Sequence, residues 1–263
     1  MRIFEPHIHM YARTTDDYER MAKAGIEVIV EPAFWLGEPR KYAGTFFDYF
    51  DHLINFEHTR AARYGIKQYV TIAMNPKEAN NYELAEDVLE ELPRFLDREN
   101  VVGVGEIGFD QITPAEEDFF IRQLELASQF KLPVLIHSPH LNKLEGIKKN
   151  IEILKNMDYD ISKVLIDHNT EETTAISRES GAWCGHSVYS ITKLTPERAA
   201  NIVEKYGVER MMVNSAADWG ASDPLSVPHT VDELLTRNFP EKEIEKLVWD
   251  NPYNFFSQSG RMR

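Results

Sequence analysis

Short β-rich apolar runs alternate with longer amphipathic segments about eight times along the 263 residues of this chain. The apolar runs are nearly continuous, as in residues 133–136 (Pro-Val-Leu-Ile), which is typical of parallel strands covered on both faces. Strands that alternate with helices predict an α/β fold with a parallel sheet. About eight such units in a chain of this length predict a (β/α)8 TIM barrel, which we expect to form one domain over residues 1–263.

The boundaries of these elements follow from turn and cap residues. Pro114 and Pro196 stand in the first turns of two helices, and Gly25, Gly65 and Gly207 each follow the end of a helix. The predicted strands are 2–5, 26–31, 66–73, 101–106, 132–137, 163–167, 182–187 and 210–214. The predicted helices are 15–24, 45–64, 82–96, 114–130, 142–157, 171–180, 196–206, 231–238 and 241–250.

Histidine and acidic residues follow five of these strands at the point where each strand ends. His7 and His9 follow the first strand two residues apart, so an extended backbone directs both imidazoles to one side. The full set is His7, His9, Glu106, His137, His168 and Asp218. Because the carboxyl ends of barrel strands meet at one face, these side chains can converge on a metal ion. Nitrogen and oxygen donors without thiolate suit zinc, manganese, iron, cobalt or nickel better than calcium.

Each of these residues alone also has a structural explanation, such as a hydrogen bond to a backbone carbonyl or an ion pair. Together they would require several unrelated burials of costly polar groups at the same end of different strands, which favours the metal site. Asp223 is an alternative to Asp218. It precedes Pro224 and resembles a helix or turn cap, whereas Asp218 lies nearer to the strand end.

These motifs together resemble the TatD-type branch of the amidohydrolase-like metal-dependent hydrolases. The resemblance spans nearly the whole chain, and its most specific part is Gly105-Glu106-Ile107-Gly108-Phe109-Asp110. It implies that His7, His9 and Asp218 hold one divalent metal ion and that His137 and His168 hold a second. Glu106 would bridge the two ions, where related amidohydrolases use a carboxylated lysine. Zinc is the favoured metal, with manganese, iron, cobalt, nickel or magnesium as alternatives.

The chemistry that follows is hydrolysis of an ester, amide, lactone or phosphoester bond in a small-molecule substrate. Two ions that share Glu106 would supply hydroxide near neutral pH, and Asp218 would act as the catalytic acceptor of the proton. His140 and Asn169 are candidates for substrate contact or for support of the ligands. Trp219 is a candidate wall of the substrate pocket.

Three segments depart from the pattern of the nuclease members of this group. Glu5 replaces an aspartate two residues before His7, Ser138-Pro139-His140 replaces a Cys-Arg type of pair, and residues 214–220 replace a Glu-Thr-Asp motif. We therefore expect hydrolysis with a different specificity, with a TatD-type phosphoesterase or nuclease as the alternative. Two further alternatives are a phosphatase of the polymerase-and-histidinol-phosphatase type and a non-catalytic metal-binding scaffold or partner in an enzyme cluster. The Gly105–Asp110 motif argues against the phosphatase.

The net charge and the cysteine content limit the binding partners and the cellular compartment that we expect. With 43 acidic and 29 basic residues the net charge is -14, which disfavours sequence-independent binding to nucleic acid. No apolar run approaches the roughly 18 residues of a membrane span, so we expect no membrane contact. The single cysteine, Cys184, excludes an internal disulfide and favours a reducing, cytoplasmic location. Homo-oligomerisation stays open.

Overall fold

The computed structural model describes residues 1–262, in which eight parallel strands pair in sequence order. The strands are β1 (Ile3–Glu5), β2 (Ile26–Pro32), β3 (Lys67–Thr71), β4 (Val101–Gly108), β5 (Val134–His137), β6 (Val164–Ile166), β7 (Trp183–Ser187) and β8 (Met211–Asn214). Beyond β8, the Ala216 amide donates to the His7 carbonyl (2.8 Å) and the His9 amide donates to the Ala217 carbonyl (2.9 Å). These bonds close the sheet at its carboxyl end, and the predicted (β/α)8 TIM barrel is confirmed.

The helices fill the connections between strands. They are α1 (Thr15–Lys23), α2 (Ala43–Asp51), α3 (His58–Ala62), α4 (Tyr82–Leu96), α5 (Pro114–Phe130), α6 (Lys143–Asn156), α7 (Thr174–Glu179), α8 (Pro196–Tyr206), α9 (Ser226–Thr236), α10 (Glu241–Glu245) and α11 (Asn251–Ser257). Two π-helical segments, His52–Glu57 and Lys246–Asp250, continue α2 and α10. Short 3₁₀ turns occupy Met10–Ala12, Pro76–Glu78 and Ile161–Lys163. None of these helices is long and apolar enough to cross a membrane.

Helix α11 closes the amino-terminal end of the barrel, and the sequence analysis did not predict it. Its Phe255 and Phe256 belong to the apolar cluster of the barrel interior, together with Phe4 of β1. The Asn251 side chain donates to the carbonyls of Val208 and Met211, just where β8 begins (2.7 and 2.6 Å). With this end sealed, the carboxyl end is the face left for a functional site.

A buried polar cluster lies outside the barrel wall, between β2 and the helix layer. Glu31 accepts hydrogen bonds from the Tyr11 amide (2.6 Å) and from the Gln68 side chain (2.7 Å). Glu57 lies in the same cluster and accepts hydrogen bonds from Arg60 (3.0 and 3.2 Å). Burial, followed by the negative charge of Glu57, raises the pKa of Glu31 to about 8.

Glu31 should therefore make the stability of the protein depend on pH. Because its folded pKa of about 8 exceeds the ordinary 4.5, the folded state binds more protons than the unfolded state between these values. The free energy of unfolding should thus fall as the pH rises from about 5 to about 8. Glu31→Gln removes this titration, and urea unfolding across that range should show a shallower slope. Glu27→Gln, exposed on the same strand, should keep the wild-type slope. An unchanged slope in Glu31→Gln would contradict the prediction.

Candidate metal centre

Glu106 lies at the centre of a histidine cluster at the carboxyl end of the barrel. Its Oε1 atom lies 3.2 Å from His168 Nε2, 3.3 Å from His137 Nδ1 and 3.5 Å from His7 Nε2. Burial raises the pKa of Glu106, but the charge of His7 and the hydrogen bonds of His137 and His168 outweigh it and hold the pKa well below its ordinary value. Glu106 is therefore a buried carboxylate with several nitrogen donors around one of its oxygens.

His7 and His9 point their Nε2 atoms at each other across 3.0 Å. The opposite nitrogen of each ring faces an acceptor: His7 Nδ1 lies 2.6 Å from Asp167 Oδ2, and His9 Nδ1 lies 3.2 Å from the Pro32 carbonyl. Because a carboxylate and a carbonyl only accept, both Nδ1 atoms carry a hydrogen, and in the neutral rings that metal binding requires both Nε2 atoms present lone pairs. Two lone pairs at this distance repel each other unless a cation lies against both. The donor arrangement therefore fits a metal ion.

The protonation of His9 and His168 also suits metal binding, which requires neutral imidazole. Burial, followed by the charge of His7, lowers the pKa of His9 well below its ordinary value. Burial, followed by the charge of Lys193, does the same for His168. The Nδ1 atom of His168 lies 2.6 Å from the Ser187 hydroxyl, which fixes the ring with Nε2 toward Glu106.

Asp167 supports two of these histidines, and the sequence analysis assigned it no role. Besides His7 Nδ1, it accepts hydrogen bonds from the His168 amide (2.7 Å) and from the Asn214 side chain (2.9 and 3.1 Å). Burial raises its pKa, but the charges and hydrogen bonds of His168 and His7 hold that pKa below its ordinary value. A Cβ atom at Gly185 would overlap the Asp167 carboxylate. Only its place directly before His168, at the end of a strand, could have indicated this role.

The structure separates the two aspartates that the sequence left as alternatives. Asp218 lies on the wall of the central cavity, where its Oδ1 atom accepts hydrogen bonds from the Tyr189 hydroxyl (3.0 Å) and the Gly220 amide (2.7 Å). Asp223 instead accepts a hydrogen bond from the Leu225 amide (3.0 Å) and pairs with His229 (3.2 Å). Only Asp218 of this pair lines the cavity.

The cavity above Glu106 has a volume of about 170 Å³. Its lining combines ligand candidates, aromatic rings and two lysines: His9, Phe34, Trp35, Asn75, Lys77, Glu106, His137, His140, His168, Lys193, Ala216, Asp218 and Trp219. Trp219 stacks on Phe34 with ring centres 5.0 Å apart and forms the predicted aromatic wall. The sequence analysis missed Asn75, Lys77 and Lys193, because no motif marks them.

Two polar residues near the ligands, Asn169 and Glu5, form hydrogen bonds with neighbouring parts of the protein. Asn169, a predicted substrate or support residue, does not line the cavity; its amide donates to the Ile166 carbonyl (2.8 Å) and its oxygen accepts from Ser177 (2.7 Å). Glu5 joins β1 to the end of β8, since it accepts hydrogen bonds from the amides of His7 (3.1 Å) and Ser215 (3.0 and 3.2 Å). Burial raises the pKa of Glu5 to about 8.

The family model described as TatD related DNase matches residues 5–257 of the chain. The chain belongs to the TatD family. An uncharacterized metal-dependent hydrolase of Methanocaldococcus jannaschii is 31% identical over 258 residues, which cover 97% of this chain and 99% of that protein. The crystal structure of a TatD-like protein from Archaeoglobus fulgidus is 29% identical, with a TM-score of 0.79 and coverage of 96% of this chain and 99% of that one.

More distant structures share the fold of this TatD family member. The phosphotriesterase homology protein from Escherichia coli, solved with phosphate in its active site, has a TM-score of 0.70 at 16% identity and covers 97% of this chain and 98% of that one. A lactonase from Listeria monocytogenes has a TM-score of 0.68 at 18% identity, with coverage of 97% and 94%. The resemblance noted in the sequence is thus confirmed, and the protein is a metal-dependent hydrolase of the TatD type.

Replacement of Asp167 tests whether the histidine cluster binds metal in the arrangement described. Asp167→Asn removes the anionic acceptor that orients His7, so zinc affinity should fall by about 10–100-fold. Gly185→Ala, which displaces the Asp167 carboxylate, should weaken zinc binding in the same direction. Competition with a chromogenic chelator measures both affinities. Asp232→Asn, an exposed change on α9, is the control. Wild-type affinity in both test variants would show that Asp167 does not support a metal ligand.

Proposed function

We propose that the protein uses two divalent metal ions, zinc in the first place, to hydrolyse an ester, amide, lactone or phosphoester bond in a small-molecule substrate. His7, His9 and Asp218 would hold one ion, His137 and His168 the other, and Glu106 both. The observation that carries this proposal is the 3.0 Å approach of the His7 and His9 Nε2 lone pairs beside the Glu106 carboxylate. When bound, the ions supply a Lewis acid that lowers the pKa of a water molecule toward about 7.

The side chains around the centre transfer the proton and position the substrate. The Tyr189 hydroxyl and the Gly220 amide fix the orientation of the Asp218 carboxylate. In that position Asp218 accepts the proton of the attacking water and passes it to the leaving group. Phe34 and Trp219 cover one side of the cavity and hold an apolar part of the substrate away from water.

Metal analysis tests the ligand set independently of any substrate. Protein purified without chelator should hold about two equivalents of transition metal, and Glu106→Gln should lose most of it because it removes the charge that three imidazoles face. His229→Ala, at a half-exposed histidine outside the cavity, should keep the wild-type content. A metal content near zero in the wild-type protein, unchanged in Glu106→Gln, would refute the metal centre.

Hydrolysis of a substrate panel tests the reaction and the role of Asp218. The zinc-loaded protein should cleave at least one class among carboxyl esters, lactones, amides, phosphomonoesters and phosphodiesters. On that substrate Asp218→Asn should lower kcat by about 10²–10⁴-fold, since it removes the proton acceptor. Asp223→Asn should leave kcat unchanged because Asp223 lies outside the cavity. Full metal occupancy without hydrolysis of any class would favour a non-catalytic scaffold, and cleavage of oligonucleotides alone would favour the nuclease alternative.

A further inference from the structure

Four basic side chains meet at the mouth of the metal cavity, each from a different loop or helix start. Lys77 follows β3, His140 follows β5, Lys143 begins α6 and Lys193 follows β7. Lys77, His140 and Lys193 line the cavity itself. His140 and Lys143 also line an open groove of about 840 Å³ that runs from the cavity along α6. The basic residues therefore stand where the cavity opens into the groove.

Two of these lysines, Lys143 and Lys193, have no carboxylate at ion-pair distance, within 4.0 Å, in residues 1–262. The Lys143 Nζ atom reaches only the Ser138 carbonyl at 3.5 Å, and Lys193 Nζ lies 5.3 Å from the centre of the Tyr189 ring. Burial, followed by the charge of Lys193, lowers the pKa of Lys143 to about 8.

This arrangement is unusual for a protein with a net charge of -14. Acidic residues are abundant. Glu106, Asp167 and Asp218 act on Lys193 from a distance, but none of them lies within 4.0 Å of Lys143 or Lys193, and Lys193 still repels Lys143. By contrast, Lys149 on the same helix as Lys143 pairs with Glu117 at 2.7 Å. An anion brought by a ligand would remove the repulsion at the mouth.

We propose that Lys143, Lys193 and His140 form an anion-binding subsite for a phosphate or carboxylate group of the substrate. The two ammonium groups bind the anion, and the His140 imidazole donates a hydrogen bond to it. This inference rests on the proposed function, because the anionic group lies beside the scissile bond that the metal centre hydrolyses. It narrows the substrate to small molecules with one anionic group that takes no part in the reaction.

The groove beyond the mouth argues for a single anionic group rather than a polyanion. Glu145, Glu152 and Glu172 line it together with its lysines. A nucleic-acid backbone along this groove would place phosphates against these carboxylates, at a cost that a small molecule anchored at the mouth avoids. The cavity of about 170 Å³ takes the reacting part of the substrate, and the groove takes the remainder.

Calorimetric titration of the zinc-loaded protein tests the subsite, with inorganic phosphate, acetate and a single-stranded oligonucleotide as separate probes. Lys143→Gln and Lys193→Gln should each weaken binding of phosphate or acetate by about tenfold, since each removes a charged hydrogen bond. The probe with the larger loss identifies the anionic group as phosphate or carboxylate. Lys193→Arg should retain most of the affinity. Lys205→Gln, an exposed change on α8 that also removes one charge, should bind like the wild type.

The outcomes separate this proposal from the metal proposal. Zinc content measured on the same samples should be equal in the wild type and in all lysine variants. Wild-type affinity for both phosphate and acetate in Lys143→Gln and Lys193→Gln would overturn the subsite, whatever the zinc content. Tighter binding of the oligonucleotide than of either small anion would also overturn it in favour of a polyanionic substrate. Absence of zinc from every sample, with the lysine effects retained, would refute the metal centre alone.

Discussion

The site depends on one buried carboxylate oxygen that has three imidazole nitrogens within 3.5 Å. Charged and polar groups removed from water are costly unless each has a partner with good geometry. Here Glu106 meets the ligand nitrogens, and the other nitrogens of His7, His9 and His168 face Asp167, Pro32 and Ser187. Only the Nε2 lone pairs of His7 and His9 have no hydrogen-bond donor among these groups, and a cation between them would supply the missing partner.

The barrel supplies the rigidity that such a cluster needs. Glu106 lies within the longest strand, and Asp167 holds groups from the ends of β1, β6 and β8 at once. Glu5 joins the ends of β1 and β8, where the sheet has to close. Because α11 seals the opposite end, ligands can approach from the carboxyl end alone. The candidate metal centre thus lies on strand ends that are bonded to one another.

The electrostatic character of the mouth differs from that of the whole molecule. The chain is acidic overall, yet Lys193 on the cavity wall and Lys143 in the adjoining groove have no carboxylate within 4.0 Å in residues 1–262. Unpaired basic groups within an acidic protein would attract a small anion to one place, while the acidic surface would repel polyanions. The distribution of charge therefore carries information about the substrate that the net charge does not.

The sequence by itself determined that the chain forms a barrel, because parallel strands covered on both faces leave short apolar runs at regular intervals. All eight strands begin and end within two residues of their predicted bounds. It also predicted that the strand-end residues His7, His9, Glu106, His137 and His168 come together, as barrel topology brings strand ends to one face. Only the tertiary structure showed that Asp218, and not Asp223 or Asn169, lines the cavity, and that Asp167 supports two of the histidines. It also placed Lys143 and Lys193 together, although 50 positions separate them in the chain. Loop conformation and side-chain direction decide these contacts, and neither leaves a periodic trace in the sequence.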